Sequence, residues 1–250
     1  MAKTTGSDLL IRALRAEGVD TVFGIAGDHI LHMLDTMFDA PLRMIDFRHE
    51  SGAAHAADSY SRILKKGGVM LSTTPGHANA LPALANAMHS EAPLINIAGS
   101  AESANMGRGA MQEFDQIGAA RHITKGAWDV PTAARIPEYV ALAFRTALSG
   151  RQGPVHLTIP HDFQMAEVDD AEAARYAPNE YGTPLNVLGD PAQIERALDV
   201  LNSAQRPVIF AGSSAGATAL PAEVQRLVET LRIPFFSEDS ARALIPDSHE

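Results

Sequence analysis

Along the first 160 residues, short runs of adjacent apolar residues alternate with longer stretches in which apolar residues return every three or four positions. The runs at 21–25, 42–47, 68–72, 93–98 and 154–160 have strand length and are almost continuously apolar, which predicts strands buried on both faces. The stretches between them predict helices: one capped by Ser7 or Asp8 and reaching about residue 17, then 29–38, 50–65, 79–89 and 136–148. Residues 99–130 follow no regular period. Buried strands separated by helix-length segments make this an α/β fold, with a mainly parallel sheet carrying helices on both faces.

After residue 160 the pattern lapses. Residues 169–190 are polar, proline-dotted and glycine-bearing, and read as a linker. A second alternation follows, with a helix over 192–201, a strand at 207–211, a helix over 218–231 and a strand at 234–236. The expected organisation is a first domain at 1–168, the linker, and part of a second α/β domain at 191–250. Two strands in about 60 residues are fewer than such a domain needs to enclose a core, so this second unit is expected to be incomplete.

Composition narrows the function classes. With 46% apolar and 20% charged residues there is ample material for a core. A net charge of −10 disfavours nucleic acid as a partner, since phosphate binding needs clustered Lys and Arg. The absence of cysteine excludes disulfides, thiolate metal sites and a cysteine nucleophile. The opening MAKTTGSDLLIRALRAEGVD lacks an apolar core of signal-peptide length, and no run approaches the roughly 20 apolar residues of a membrane span. A cytoplasmic, membrane-free protein is the expectation.

In a parallel sheet, ligands bind beyond the carboxyl ends of the strands. Three chemically notable turns fall there: Gly24–His29, Phe47–Glu50 and Thr73–Asn79. His49-Glu50 suggests a zinc-protease helix, but that motif needs a second histidine four residues after the first, where Ala53 stands. Gly212-Ser213-Ser214-Ala215-Gly216 matches G-x-S-x-G between a strand and a helix. A hydrolase would then have to draw its acid and histidine from Asp239, Asp247 and His249, which crowd the last dozen residues. A small-residue turn letting a helix approach its strand is the plainer reading. Gly24-Ile-Ala-Gly27 lacks the three-glycine dinucleotide fingerprint, and there is no P-loop. Taken alone, Asp28 reads as a helix cap, His29 as a surface histidine and Glu50 as a first-turn acid favoured by the helix dipole.

Together the segments RHESGAAHAADSYSR, GIAGDHILHML, TTPGHANALPALANAMHSEAPLINIAGS and MQEFDQIGAARHITK change that picture. With these, the chain resembles the thiamine diphosphate enzymes, in the acetolactate synthase-like branch that includes benzaldehyde lyase and oxalyl-CoA decarboxylase. The likeness spans about 5–165 as the pyrimidine-binding domain. It continues more weakly through RPVIFAGSSA and PFFSEDSARALIPDSHE as the opening half of the central domain.

The resemblance implies a carbon–carbon lyase, carboligase or decarboxylase acting on 2-oxo acids or acyloins. It gives Glu50 the role of meeting a ring nitrogen of the cofactor's aminopyrimidine and sharing a proton with it. Asn79 matches an asparagine near the cofactor, and Gly27, Pro75 and Gly76 belong to turns beside it, with Thr74-Pro75-Gly76 where the family has Gly-Pro-Gly. Gln112 matches a glutamine that reaches the reacting centre. Asp28 stands where pyruvate decarboxylase-like enzymes carry a catalytic aspartate, and His29 where benzaldehyde lyase carries a histidine; having both leaves the subfamily open. His77 is a further polar candidate at the same rim.

The family holds the diphosphate through Mg²⁺ with Gly-Asp-Gly and a downstream asparagine, because a hard cation needs oxygen ligands. Gly27-Asp28 and Gly189-Asp190 are followed by His29 and Pro191, so neither is that motif. The Mg²⁺ ligands are therefore expected outside these residues, on another segment or on a second subunit of a homo-oligomer. The small residues Gly52, Ala53 and Ala54 are expected to form part of that interface. A flavin or ADP on the central domain is left open by the resemblance. So is a non-catalytic subunit that keeps the fold as an interaction module.

Overall fold

A computed structural model of the chain describes residues 3–178, 188–216, 221–238, 241–242 and 244–249. The chain divides into two compact units after residue 185. In the first unit the strands are β1 (Lys3–Thr5), β2 (Thr21–Gly24), β3 (Arg43–Asp46), β4 (Gly68–Ser72), β5 (Leu94–Ser100), β6 (Gly126–Asp129), β7 (Val155–Pro160) and β8 (Glu167–Asp169). Its helices are α1 (Gly6–Ala16), α2 (Leu31–Phe38), α3 (Glu50–Leu64), α4 (Thr74–His89), α5 (Gln116–Ala120), α6 (Ile136–Leu148), α7 (His161–Met165) and α8 (Asp170–Tyr176).

Six strands form one sheet in the order β3-β2-β4-β5-β7-β6, and every neighbouring pair is parallel. The expected α/β architecture is present. Alternate residues of the central strands serve opposite faces. Val69, Leu71, Ile95, Ile97, Val155 and Leu157 share one core cluster with Leu10 and Leu14 of α1, Met33 of α2 and Phe144 of α6. Met70 and Leu94 share the other with Ala53, Ala54 and Ala57 of α3 and Ala80, Ala83 and Leu84 of α4.

The alanines of α3 therefore have a use inside the unit. Ala53, Ala54 and Ala57 are fully buried, and a Cβ on Gly68 of β4 would lie 2.1 Å from the Ala57 carbonyl oxygen. With no atoms beyond Cβ on these residues, helix and strand pack closely, and this small-residue face is spent on α4 and β4. That corrects the expectation of a subunit interface for Ala53 and Ala54.

Several boundaries also differ from the sequence pattern. Helix α1 starts earlier than expected because Thr5 is its cap: Thr5 Oγ1 accepts from the Asp8 amide at 3.2 Å, and Asp8 Oδ2 accepts from the Thr5 amide at 2.9 Å. This reciprocal capping box leaves Asp8 in the third helical position. Helix α4 starts at Thr74 instead of 79, since Pro75 in a first turn forgoes only an amide that has no helical partner anyway. The irregular stretch holds α5 and β6, both of five residues or fewer, too short to show a period. The expected linker opens with the end of β8, which pairs antiparallel with β1, and with α8, whose Ala173 is buried. Residues 179–187 of that linker lie outside the described residues.

In the second unit, α9 (Pro191–Ser203), α10 (Ser213–Gly216) and α11 (Pro221–Leu231) accompany β9 (Ile209–Ala211) and β10 (Phe235–Ser237), which pair in parallel. Its buried cluster is small, made of Ala211, Ala241 and Leu244, while Val208, Phe210 and Phe236 are exposed.

Candidate functional site

The turns after β2, β3, β4 and β5 all open at the carboxyl edge of the sheet. Strand β2 feeds α2 on one face, whereas its neighbour β4 feeds α4 on the other, so the connections diverge between them. Such a divergence leaves a crevice where ligands bind in open parallel sheets.

Glu50 begins α3, immediately after the cap His49, whose Nδ1 accepts from the Ser51 amide at 3.2 Å. His49 is thereby engaged as a helix cap. The Glu50 side chain is half-buried and reaches the first turns of α4. Asn79 Nδ2 donates to its Oε2 at 3.0 Å. A Cβ on Gly76 would stand 2.9 Å from Glu50 Oε1 and 3.0 Å from its Cγ. Glycine at 76 thus makes the cradle in which the carboxyl group lies. Glu50, Gly76 and Asn79 are brought together where the starts of α3 and α4 meet. Pro75 is exposed on the same turn, and Gly27 lies against Thr73, where a Cβ would come within 2.5 Å of Cγ2.

Asp28 and His29 follow β2 in a short 3-10 turn. Asp28 is exposed and His29 is buried. Both line a cavity of about 440 Å³ together with Glu102, Arg108, Met111 and His161. Burial pushes the His29 imidazole below its ordinary pKa; Asp28 pulls it back up and His161 pushes it further down.

Gln112 is placed differently from expectation. It is exposed, has φ of +59°, and does not line that cavity, although its neighbour Met111 does. The turn carrying it is organised by Glu113, whose carboxylate accepts from the amides of Gly107 at 2.6 Å, Ala110 at 3.0 Å and Gly109 at 3.1 Å. Those amides hold the Glu113 carboxyl below its usual range, the Gly107 bond foremost. Gly107 and Gly109 have φ of +78° and +72°, where a side chain would strain the backbone.

His77 is not at the rim. It is fully buried and stacks on His156, with ring centroids 3.9 Å apart. Asn96 Nδ2 lies 2.7 Å from His77 Nδ1 and 3.2 Å from His156 Nδ1, while His77 Nε2 faces the Gln116 carbonyl oxygen at 3.2 Å. A carbonyl only accepts, so His77 carries its proton on Nε2 and receives the Asn96 amide on Nδ1. Asn96 and His156 were the legible signal for this network, each a polar residue in the middle of an apolar strand.

The comparisons with known proteins bear on this geometry. Residues 4–119 match the family model described as "Thiamine pyrophosphate enzyme, N-terminal TPP binding domain", and residues 194–250 match "Thiamine pyrophosphate enzyme, central domain". The chain belongs to the thiamine pyrophosphate enzymes.

Among the relatives within that family, a probable acetolactate synthase large subunit of Methanocaldococcus jannaschii is 35% identical over 246 residues, 98% of this chain and 42% of the relative. The acetolactate synthase isozyme 2 large subunit of Escherichia coli is 36% identical over 227 residues, 90% of this chain and 40% of the relative. Oxalyl-CoA decarboxylase of Escherichia coli is 30% identical over 249 residues, covering 98% and 44%. The chain spans about two fifths of the length of the curated relatives it matches. Glu50, Gly76, Asn79, Asp28 and His29 all lie within the part matched by the family's N-terminal domain.

The rival readings have less in the structure. Among the described residues no three His, Asp or Glu side chains converge as a metal site, which leaves His49-Glu50 without the set a zinc protease needs. Ser214 does lie in the helical turn α10 that follows β9, but His249 is directed to Glu229 of α11, with Nε2 and Oε1 3.1 Å apart. The match to the family's central domain spans this segment. Among the described residues no helix is long and apolar enough to cross a membrane.

Proposed function

We propose that this chain supplies the pyrimidine-side half of a thiamine diphosphate-dependent lyase, carboligase or decarboxylase acting on 2-oxo acids or acyloins. The observation that carries the reading is the Glu50 carboxyl group, held at one oxygen by Asn79 and set against the bare Cα of Gly76. A heterocycle with a basic ring nitrogen fits such a group, because one carboxyl oxygen is anchored and the other is left to exchange a proton. The chemistry supplied when thiamine diphosphate is bound is the making and breaking of carbon–carbon bonds beside a carbonyl.

The chain's own residues divide the remaining work. Asn79 occupies Glu50 Oε2, so the proton shared with a ring nitrogen is carried at Oε1. Gly76 keeps the space over that oxygen clear. His29 and Asp28 present a neutral base and a carboxylate to the cavity, for proton transfer to and from substrate. Gln112 stands apart from them and would have to approach as its loop moves. Mg²⁺, and through it the diphosphate, would be held by Asp and Asn side chains of a segment other than these 250 residues, in the same subunit or in a second one, as hard-cation chemistry requires.

Two measurements test this. Titrated alone with thiamine diphosphate and Mg²⁺, the 250-residue chain is expected to give no measurable heat; binding should appear once the diphosphate-binding segment is supplied. Tight binding by the chain alone would place the diphosphate site within these residues and overturn the half-site reading. Gly76→Ala separates function from folding. Alanine is a better helix former than glycine by about 1 kcal/mol, which offsets a new contact at 3.1 Å with Ser72 Cβ, and the nearest atom it would displace is the end of the flexible Glu50 side chain. The melting temperature should hold or rise, while turnover of the complete enzyme falls about a hundredfold as the carboxyl is pushed aside. Unchanged turnover would mean that the position of the carboxyl does not matter.

A further inference from the structure

The hydrogen bonds around His29 are more constrained than the cavity requires. Its backbone carbonyl accepts from Gln164 Nε2 at 2.7 Å, and a Cβ on Gly99 would lie 1.9 Å from that same oxygen. The loop is pinned, and the ring can turn only about its own side-chain bonds. Nδ1 of the ring lies 3.2 Å from the Thr74 hydroxyl, inside the protein. Nε2 has no bond among the described residues and is the ring nitrogen left to the cavity that His29 helps to line.

Three groups meet at Thr74 Oγ1, each at 3.2 Å: the Gly99 carbonyl oxygen, the Gln116 side-chain amide and His29 Nδ1. The Gln116 amide nitrogen also donates to Gly99 O at 3.2 Å, which fixes its orientation, because the opposite one would set two oxygens against each other. Gln116 therefore only donates and Gly99 only accepts. A threonine hydroxyl has one proton and two acceptor positions. If the proton goes to Gly99, Oγ1 accepts from both Gln116 and His29, and every contact is a hydrogen bond. If it goes to His29 instead, the hydroxyl's bond to Gly99 is lost. Buried polar groups favour the arrangement that leaves the fewest contacts unmade.

We propose that Thr74 is a positioning residue that holds the His29 imidazole as the Nδ1–H tautomer, with Nε2 kept as an unprotonated acceptor facing the cavity. This rests on the functional reading above only for what Nε2 does; the ring state itself does not depend on any cofactor. Within that reading, Nε2 is the atom that takes a proton from a substrate hydroxyl or returns one to a carbon centre. Asp28, Glu102, Arg108 and His161 are the charged or titratable groups sharing the cavity with it. The valine variant that removes the hydroxyl is close to threonine in size, so it tests the hydrogen bond more than the packing.

The experiment is nitrogen NMR of the full chain labelled at histidine, with His29 assigned by its loss in His29→Gln. Near pH 7.5 the wild-type ring is expected to show Nδ1 at the shift of a protonated ring nitrogen and Nε2 at that of an unprotonated one. In Thr74→Val the signals should move toward the Nε2–H form, and Thr74→Ser should restore the wild-type pattern. A wild-type ring already in the Nε2–H form overturns the proposal, and that spectrum decides even if the valine variant does not fold. A valine variant that folds and keeps the wild-type pattern also overturns it. Failure of the cofactor titration would sink the functional reading and leave these spectra unchanged.

Discussion

Glu50→Gln in the complete enzyme is expected to lower turnover by about a thousandfold, the usual scale for losing a positioned acid–base group, with the fold left in place. Glutamine has nearly the same shape, and its carbonyl oxygen can still accept from Asn79. What it lacks is a transferable proton at the other position, since an amide nitrogen neither gives nor takes one at neutral pH. The first turn of α3 also loses a negative charge, which costs about 0.3–1 kcal/mol through the helix dipole. The check is turnover beside a thermal melt: activity should collapse while the melting temperature falls by only a few degrees. Turnover at the wild-type level would reject the role assigned to Glu50, whatever the fold does.

The second large effect is acid lability of the first unit. Burial pushes His77 from its ordinary value of 6.5 down to about 4, although its bond to the Gln116 carbonyl acts to raise it. Burial also drives His156 well below 6.5, helped by His77 beside it. Protonating either ring at Nδ1 would set an N–H against the Asn96 amide. The fold therefore holds both rings neutral, while the unfolded chain takes up protons below pH 6.5. The stability this preserves is full above pH 6.5 and is lost as pH falls toward 4, because there the unfolded state binds more protons.

For His77 alone the loss over that window is about 3 kcal/mol, and His156 adds to the slope. Asp129, whose carboxyl burial pushes up, works in the opposite sense and trims the total. Denaturant melts at half-unit steps between pH 7.5 and 4 should show stability falling by more than about 1.4 kcal/mol per pH unit, beyond what one histidine gives. In His156→Gln the slope should be shallower. A flat profile across the window would show that the pair is not kept neutral by the fold.

The fold was legible because each central strand is buried on both faces and so is written as an unbroken apolar run. The helices between them carry their period openly, which is why only their ends were misplaced. The cap of α1 lies at Thr5 because its side chain and that of Asp8 satisfy each other, a reciprocity not visible from either residue. Strand β6 escaped because Gly126-Ala127-Trp128-Asp129 is a four-residue edge strand, half-buried and without an apolar run. Among the site residues, the parallel-sheet rule put the Phe47–Glu50 and Thr73–Asn79 turns on one edge, but only the resemblance singled out Glu50, Gly76 and Asn79 as a set. Nothing in their spacing of 26 and 29 positions shows that the starts of α3 and α4 lie side by side.

The sequence by itself determined the alternation of buried strands and amphipathic helices, the family, and the presence of an acid at the start of α3, since these depend on local pattern and residue type. Only the tertiary structure decided that the alanines of α3 are consumed by α4 and β4, and that Gln112 stands apart on a turn knotted by Glu113. It alone turned His77 inward onto His156 and gave His29 a hydroxyl on its buried side. Apart from the local Glu113 turn, those outcomes depend on which side chains meet across about 10 to 80 positions of chain. Burial and hydrogen-bond satisfaction select among such meetings only once the sheet has brought the segments together.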